Sequence, residues 1–199
     1  MRIRFSRNKI ELEKELNTLD NLAIELTSVL NRFKIRYVLV SGYVSILFGR
    51  SRTSEDIDLI TEKINFAEFN GLWTEIVKSF GCLNASDSKS AYVKYLLKGN
   101  AIRFSRKGRA IPNIEFKFPK VELDEWTLDH RKKVILNYHT LFISPLELQI
   151  PFKLFLGSGK DIEDARHLYR LFKEEMDLGI LSEFNKKLKV EHIFREYVQ

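Results

Sequence analysis

One cysteine in 199 residues, Cys82, has no partner for an internal disulfide, and such sparing use of thiols points to a reducing cytoplasm. Cys82 follows a predicted helix C-terminus, where the dipole does not favour a thiolate, so it reads as structural. Histidines are few, at positions 130, 139, 167 and 192, and lack any paired ligand spacing, which argues against a zinc site. No stretch approaches the roughly 20 continuous apolar residues of a membrane span. Met1-Arg2-Ile3-Arg4 lacks the apolar core of a signal peptide. There is no Pro/Gly-rich linker, internal repeat or low-complexity tract, so nothing marks a sharp domain boundary.

What is present is an ordinary globular composition. With 44% hydrophobic residues the chain can build one sizeable core, alone or with a small helical appendage. Its net charge of +6 favours a polyanionic partner such as nucleic acid, although 30% charged residues also solubilise any surface.

Apolar residues at Leu12, Leu16, Leu19, Ala23, Leu26, Leu30 and Phe33 recur in steps of three and four, the stripe of a long amphipathic helix over 12–33. A stripe covering the chain's own sheet is favoured over a coiled-coil dimer, because three heptads are a short run. Tyr37 to Val40 reads as a strand, followed by a brief helix ending at Gly49, and Asp56 to Thr61 as a second strand. Asn65 and Glu68 form a capping-box pattern that opens a helix burying Phe69, Trp73, Ile76 and Phe80. Ala91–Leu97 and Ala101–Ser105 flank Lys98-Gly99-Asn100 and predict a hairpin. Asn113 to Phe118 alternates as a further strand, Lys133 to Ile143 as a strand pair, and from Ser144-Pro145-Leu146-Glu147 onward the pattern is helical. The expected organisation is a mixed α/β core over 1–144 and a helical segment over 145–199.

The chemistry concentrates in Ser41-Gly42 and Asp56-Ile57-Asp58. On a strand, residues two apart share a face, so both carboxylates project together while Ile57 and Leu59 point into the core. Two aligned carboxylates can hold a hard divalent cation that also takes phosphate oxygens; a solvated strand end is the plain alternative. Ser41-Gly42 follows a strand and opens a helix, a context in which backbone N–H groups bind phosphate.

These residues resemble the nucleotidyltransferase superfamily related to DNA polymerase β, and more closely its minimal members, including AbiEii-type toxins of toxin–antitoxin systems. That pattern is Gly-Gly or Gly-Ser, a helix, then Asp-hydrophobe-Asp, with Arg and Thr just before the first Asp. Here Arg52 and Ser54 stand in those places, and Ser41-Gly42 reverses the usual order. A second block, "ISPLELQIPFKLFLGSGKDIEDARHL" from Ile143, resembles the family's helical segment with Glu147, Lys153, Lys160, Asp161 and Asp164.

The resemblance implies a nucleotidyltransferase α/β (α+β) fold, with a mixed sheet flanked by helices and a helical C-terminal segment. It implies nucleotidyl transfer from a nucleoside triphosphate with magnesium or manganese, held by Asp56 and Asp58. It also implies a third carboxylate, for which Glu115 is the candidate; the alternative is that Glu115 forms a cross-strand ion pair with a surface lysine. Ser41, Gly42, Arg52, Ser54, Lys160 and Asp161 would meet the nucleotide, with Lys153 as an electrostatic helper. Acceptor RNA (a transfer-RNA end), a protein hydroxyl or a small molecule, and an antitoxin partner, are the expected partners. The rival reading is the same fold without turnover, as a nucleotide- or nucleic-acid-binding module. A structural dimer on the 12–33 stripe would leave the aspartates without a task. "GSGK" at 157–160 lacks the flanking residues of a P-loop, and the basic run Arg103, Arg106, Lys107, Arg109 reads first as a solvated hairpin tip.

Overall fold

The computed structural model describes residues 1–6 and 9–198. Its centre is a mixed sheet in the order β1-β2-β8-β9-β3-β4-β7-β6-β5. The strands are β1 (Arg2–Ser6), β2 (Lys9–Glu13), β3 (Tyr37–Val40), β4 (Asp56–Thr61), β5 (Phe80–Cys82), β6 (Ile102–Arg106), β7 (Asn113–Lys117), β8 (Lys132–Leu136) and β9 (His139–Ile143). The helices are α1 (Thr18–Arg32), α2 (Gly42–Leu47), α3 (Phe66–Ile76), the single turn α4 (Ser88–Ser90), α5 (Glu122–Asp129), α6 (Leu146–Leu156), α7 (Gly159–Phe172), α8 (Leu178–Lys187) and α9 (Glu191–Tyr197). No helix among the described residues is long and apolar enough to cross a membrane.

The central strands bury Ile57, Leu59, Phe104, Ile114 and Phe116 completely on one face. There Trp73 of α3 packs on Phe104 and Phe69 on Phe116. The opposite face carries a smaller apolar cluster of Val38, Ile60 and Leu128, which seats α5. Beyond that cluster the same face turns polar, and there the aspartates of β4 lie. This is the expected mixed α/β arrangement: a mixed sheet with helices around it and a helical run from Leu146 onward.

Three local readings are corrected, and one helix is added in a segment left unassigned. Leu12 does not open α1; it lies in β2, which pairs antiparallel with β1 and parallel with β8. The helix begins after Asn17, whose side chain accepts from the Asp20 N–H while Asp20 accepts from the Asn17 N–H, each at 2.9 Å. The helix opened by Asn65 and Glu68 ends at Ile76, and Phe80 belongs to β5, opposite Arg106. Ala91–Leu97 is not a strand: a wide helical turn over Ala91–Tyr95 and a 3-10 turn over Leu96–Lys98 continue from α4. Asp87 caps that run by accepting from the Ser90 N–H at 2.8 Å, and Gly99 ends it at φ 71°. Finally, α5 occupies a segment with no strong periodicity, held at its start by Asp124 accepting from the Lys120 and Val121 N–H groups.

Candidate active site

Strands β4 and β7 run parallel, with Asp56 opposite Asn113, Asp58 opposite Glu115 and Ile60 opposite Lys117. Paired residues on neighbouring strands share a face, so Asp56, Asp58, Glu115 and Lys117 project from one side of the sheet. Asp56 is exposed and Asp58 half-buried. Burial pushes the Asp58 carboxyl above its ordinary range; Glu115 and Asp56 add to this, while Lys117 and the Ser41 hydroxyl oppose it. Ser54 steadies Asp56, donating from Oγ to its carbonyl at 3.1 Å and to Oδ1 at 3.3 Å.

Glu115 is engaged. The Arg103 Nε donates to its Oε1 at 2.8 Å and Nη2 reaches the same oxygen, from the register position opposite on β6. A cross-strand ion pair of Glu115 therefore forms, but with Arg103 in place of the lysine expected. No group of three or more His, Cys, Asp or Glu side chains among the described residues is arranged to hold a metal ion. Asp56 and Asp58 nonetheless fit one: two aligned carboxylates, one lifted by burial and further by its acidic neighbours, are relieved by a divalent cation and leave positions for phosphate oxygens. Arg103 takes Oε1 of Glu115 alone, which leaves Oε2 outside that ion pair.

The turn before α2 is held open by unusual backbone. Ser41, its N-cap, sits at φ 62° and ψ −135°, the region that type II′ turns reserve for glycine. Gln149 of α6 brackets this residue, its Nε2 donating to the Ser41 carbonyl at 2.8 Å and its Oε1 accepting from the Ser41 N–H at 3.3 Å. Gly42 serves a different purpose. A Cβ there would stand 2.0 Å from Nη2 of Arg52 and 3.1 Å from its Cζ, so the missing side chain is what lets the guanidinium lie against the start of α2.

Behind Arg52 lies a buried ion cluster. Asp164, fully buried, meets Arg52 Nη2 at 3.1 Å, Lys153 Nζ at 3.0 Å and Arg50 Nε at 3.8 Å. Lys153 also donates to Asp161 at 2.7 Å. Burial alone would raise the Asp161 carboxyl, yet the Lys153 and Ser158 hydrogen bonds and the charges of Lys153 and Lys160 hold it below its ordinary range. Three cations thus share two carboxylates. Lys160 stands exposed in the first turn of α7.

The structure therefore brings Asp56, Asp58, Glu115, Ser41 and Ser54 to one sheet end. Gly42 joins that end to the cluster of Arg52, Lys153 and Asp161 through the Arg52 side chain. Sequence reasoning missed Lys117, Arg50 and Gln149, and placed Arg103 in a solvated hairpin tip, whereas it lies in β6 and pairs with Glu115. Lys117 and Arg103 carried a usable signal, since Lys117 lies two residues from Glu115 on an alternating strand and Arg103 sits at a polar position of β6. Gln149 carried none, because its partner is 108 residues away.

No protein-family model and no curated protein matches the chain. Among solved structures it is similar to an antigenic nucleotidyltransferase-like protein from Paracoccidioides brasiliensis, with a TM-score of 0.53 and 16% identity over 89% of this chain and 90% of that one. A candidate nucleotidyltransferase from Helicobacter pylori superposes with a TM-score of 0.47 and 15% identity over 87% and 77% of the two chains. Across nearly its whole length, the chain has the fold of the nucleotidyltransferase-like protein from Paracoccidioides.

Proposed function

We propose that the protein is a metal-dependent nucleotidyltransferase, and the observation that carries the reading is the pair Asp56 and Asp58 on one sheet face with Glu115 in register beside it. In the reaction the acceptor hydroxyl oxygen bonds to the α-phosphorus of a nucleoside triphosphate. The bond from that phosphorus to the bridging oxygen breaks, pyrophosphate leaves and the hydroxyl proton is released. Magnesium or manganese, held by Asp56 and Asp58, supplies charge neutralisation at the phosphates and Lewis acidity at the reacting oxygens. Arg52 and Lys160 draw the anionic triphosphate to the Ser41 turn, while Lys153, buried between Asp161 and Asp164, helps to hold the carboxylate that aligns Arg52. The basic charge favours RNA over a protein or small-molecule acceptor. A role as the toxin of a toxin–antitoxin pair rests on the resemblance of the two motif blocks alone.

A second reading, the same fold used only for binding, is favoured by one contact: the grip of Arg103 on Glu115. Incubation with each labelled nucleoside triphosphate, magnesium and total RNA or cell extract decides between them. The active protein transfers label, and folded Asp58→Asn and Glu115→Gln variants each lose roughly a hundredfold or more of that transfer. Label incorporation by Asp58→Asn at the wild-type rate sinks the proposal. Retained transfer in Glu115→Gln alone returns Glu115 to a structural role.

A further inference from the structure

Helix α6 divides its surface into two neighbouring stripes. Gln149 and Lys153, one turn apart, face the Ser41 backbone and the buried carboxylates. Alongside them run Leu148, Phe152, Phe155 and Leu156, spaced at one helical turn. Leu148 and Phe152 line a crevice of about 70 Å³ between the sheet, α5 and α6, which also takes in Ser41 and Lys117 of the candidate site. One turn further on, Phe155 is 58% exposed and Leu156 48%. The Phe152 and Phe155 rings stand 6.2 Å apart between centroids with their planes 31° from parallel.

We infer that Phe152 and Phe155 form a stacking platform for the base of the nucleoside triphosphate, beside the Ser41 turn that the neighbouring stripe of the same helix holds in place. The inference rests on the proposed reading of the site. Its occupant must carry an anionic end at the Ser41 turn, where Arg52 lies against the start of α2, and a flat apolar end over the rings of α6 beside the same crevice. A nucleotide has both. The crevice is far below the several hundred Å³ that encloses a small-molecule ligand, so the base lies over the rings rather than inside it. Phenyl faces carry no donor or acceptor, and stacking is tolerant of base identity; the platform therefore adds affinity while selecting weakly among bases.

The test compares two ligands on the full chain by titration calorimetry with magnesium: α,β-methylene-ATP, which resists transfer, and inorganic tripolyphosphate, which has no base. Wild type is expected to bind the nucleotide at least about tenfold tighter than tripolyphosphate. Phe155→Ala, at an exposed position and with folding verified by circular dichroism, should erase that difference and leave tripolyphosphate binding unchanged; Phe155→Trp should restore it. Equal binding of the two ligands by wild type, or an equal loss of both in Phe155→Ala, overturns the platform while leaving the phosphate site standing. Failure of both ligands to bind wild type overturns the phosphate site and the platform with it. Wild-type dimerisation abolished by Phe155→Ala, with nucleotide affinity intact, would reassign the patch to a second copy of the chain.

Discussion

Replacing Ser41 with glycine should stabilise the protein, although it removes atoms. Ser41 holds φ 62° and ψ −135°, and a non-glycine residue in such a region stores about 1–3 kcal/mol. Glycine adopts it without steric conflict but loses more chain entropy on folding, about 0.5–1 kcal/mol. The Gln149 clasp uses only the backbone of residue 41, so it survives the change and keeps the turn from relaxing elsewhere. Less the Ser41 hydroxyl, whose loss glycine shares with alanine, the balance is a gain of up to about 1 kcal/mol, which in a chain of this length raises the melting temperature by up to roughly 2–4 °C. Scanning calorimetry at neutral pH measures it, with Ser41→Ala as the control. Alanine keeps the strain and loses the hydroxyl that opposes the raised Asp58 carboxyl, so it should melt at or below wild type. A Ser41→Gly protein that melts no higher than wild type would refute the argument that the turn is strained.

Gly42→Ala should destabilise, because the new Cβ displaces Arg52 from Asp164, at about 1–3 kcal/mol for a buried acceptor that loses a partner. In an Arg52→Ala background the same change should be neutral or slightly stabilising, since alanine is the better helix former, and a double-mutant cycle by urea melts reads the difference. The Asp58 carboxyl is lifted in the folded state, so the native protein holds this proton more tightly than the unfolded chain does. Its contribution is fully present below the ordinary aspartate pKa and is lost as pH rises through the raised folded value. The melting-temperature advantage of Asp58→Asn over wild type should therefore grow from about pH 3.5 to 7, and an advantage that does not change with pH would contradict the raised carboxyl.

Where local chemistry dominated, the sequence was readable. Asn65 and Glu68 announced a helix start because both partners of the capping box lie within four residues. The alternation of β4 and β7 announced which side chains share a face because a pleat has no other period. Leu12 misled because a strand residue buried between two neighbours can fall by chance on a helical stripe, while the decisive signal, Asn17 with Asp20, lay five residues on. The Ala91–Leu97 segment misled for the opposite reason. Its aromatic and β-branched residues suit a strand, yet the Asp87 cap and the packing of Tyr92 on Phe69 and Phe118 overrode that propensity. In the candidate site, the two aspartates and Arg52 were visible as types at a spacing. That Arg103 grips Glu115, or that Gly42 is bare to admit Arg52, depends on strand order and on side chains that meet only after folding.

The Gln149 clasp also sets an order of events in synthesis. Ser41, Asp56 and Asp58 leave the ribosome about a hundred residues before Gln149 and Asp164 do, an interval of roughly 5–20 s at ordinary elongation rates. During it the β3 and β4 segments can pair, but nothing yet holds the turn at residue 41 or aligns Arg52. A nascent chain thus carries both carboxylates before the proposed triphosphate cradle is complete, and on that proposal competence arrives only when α6 and α7 dock.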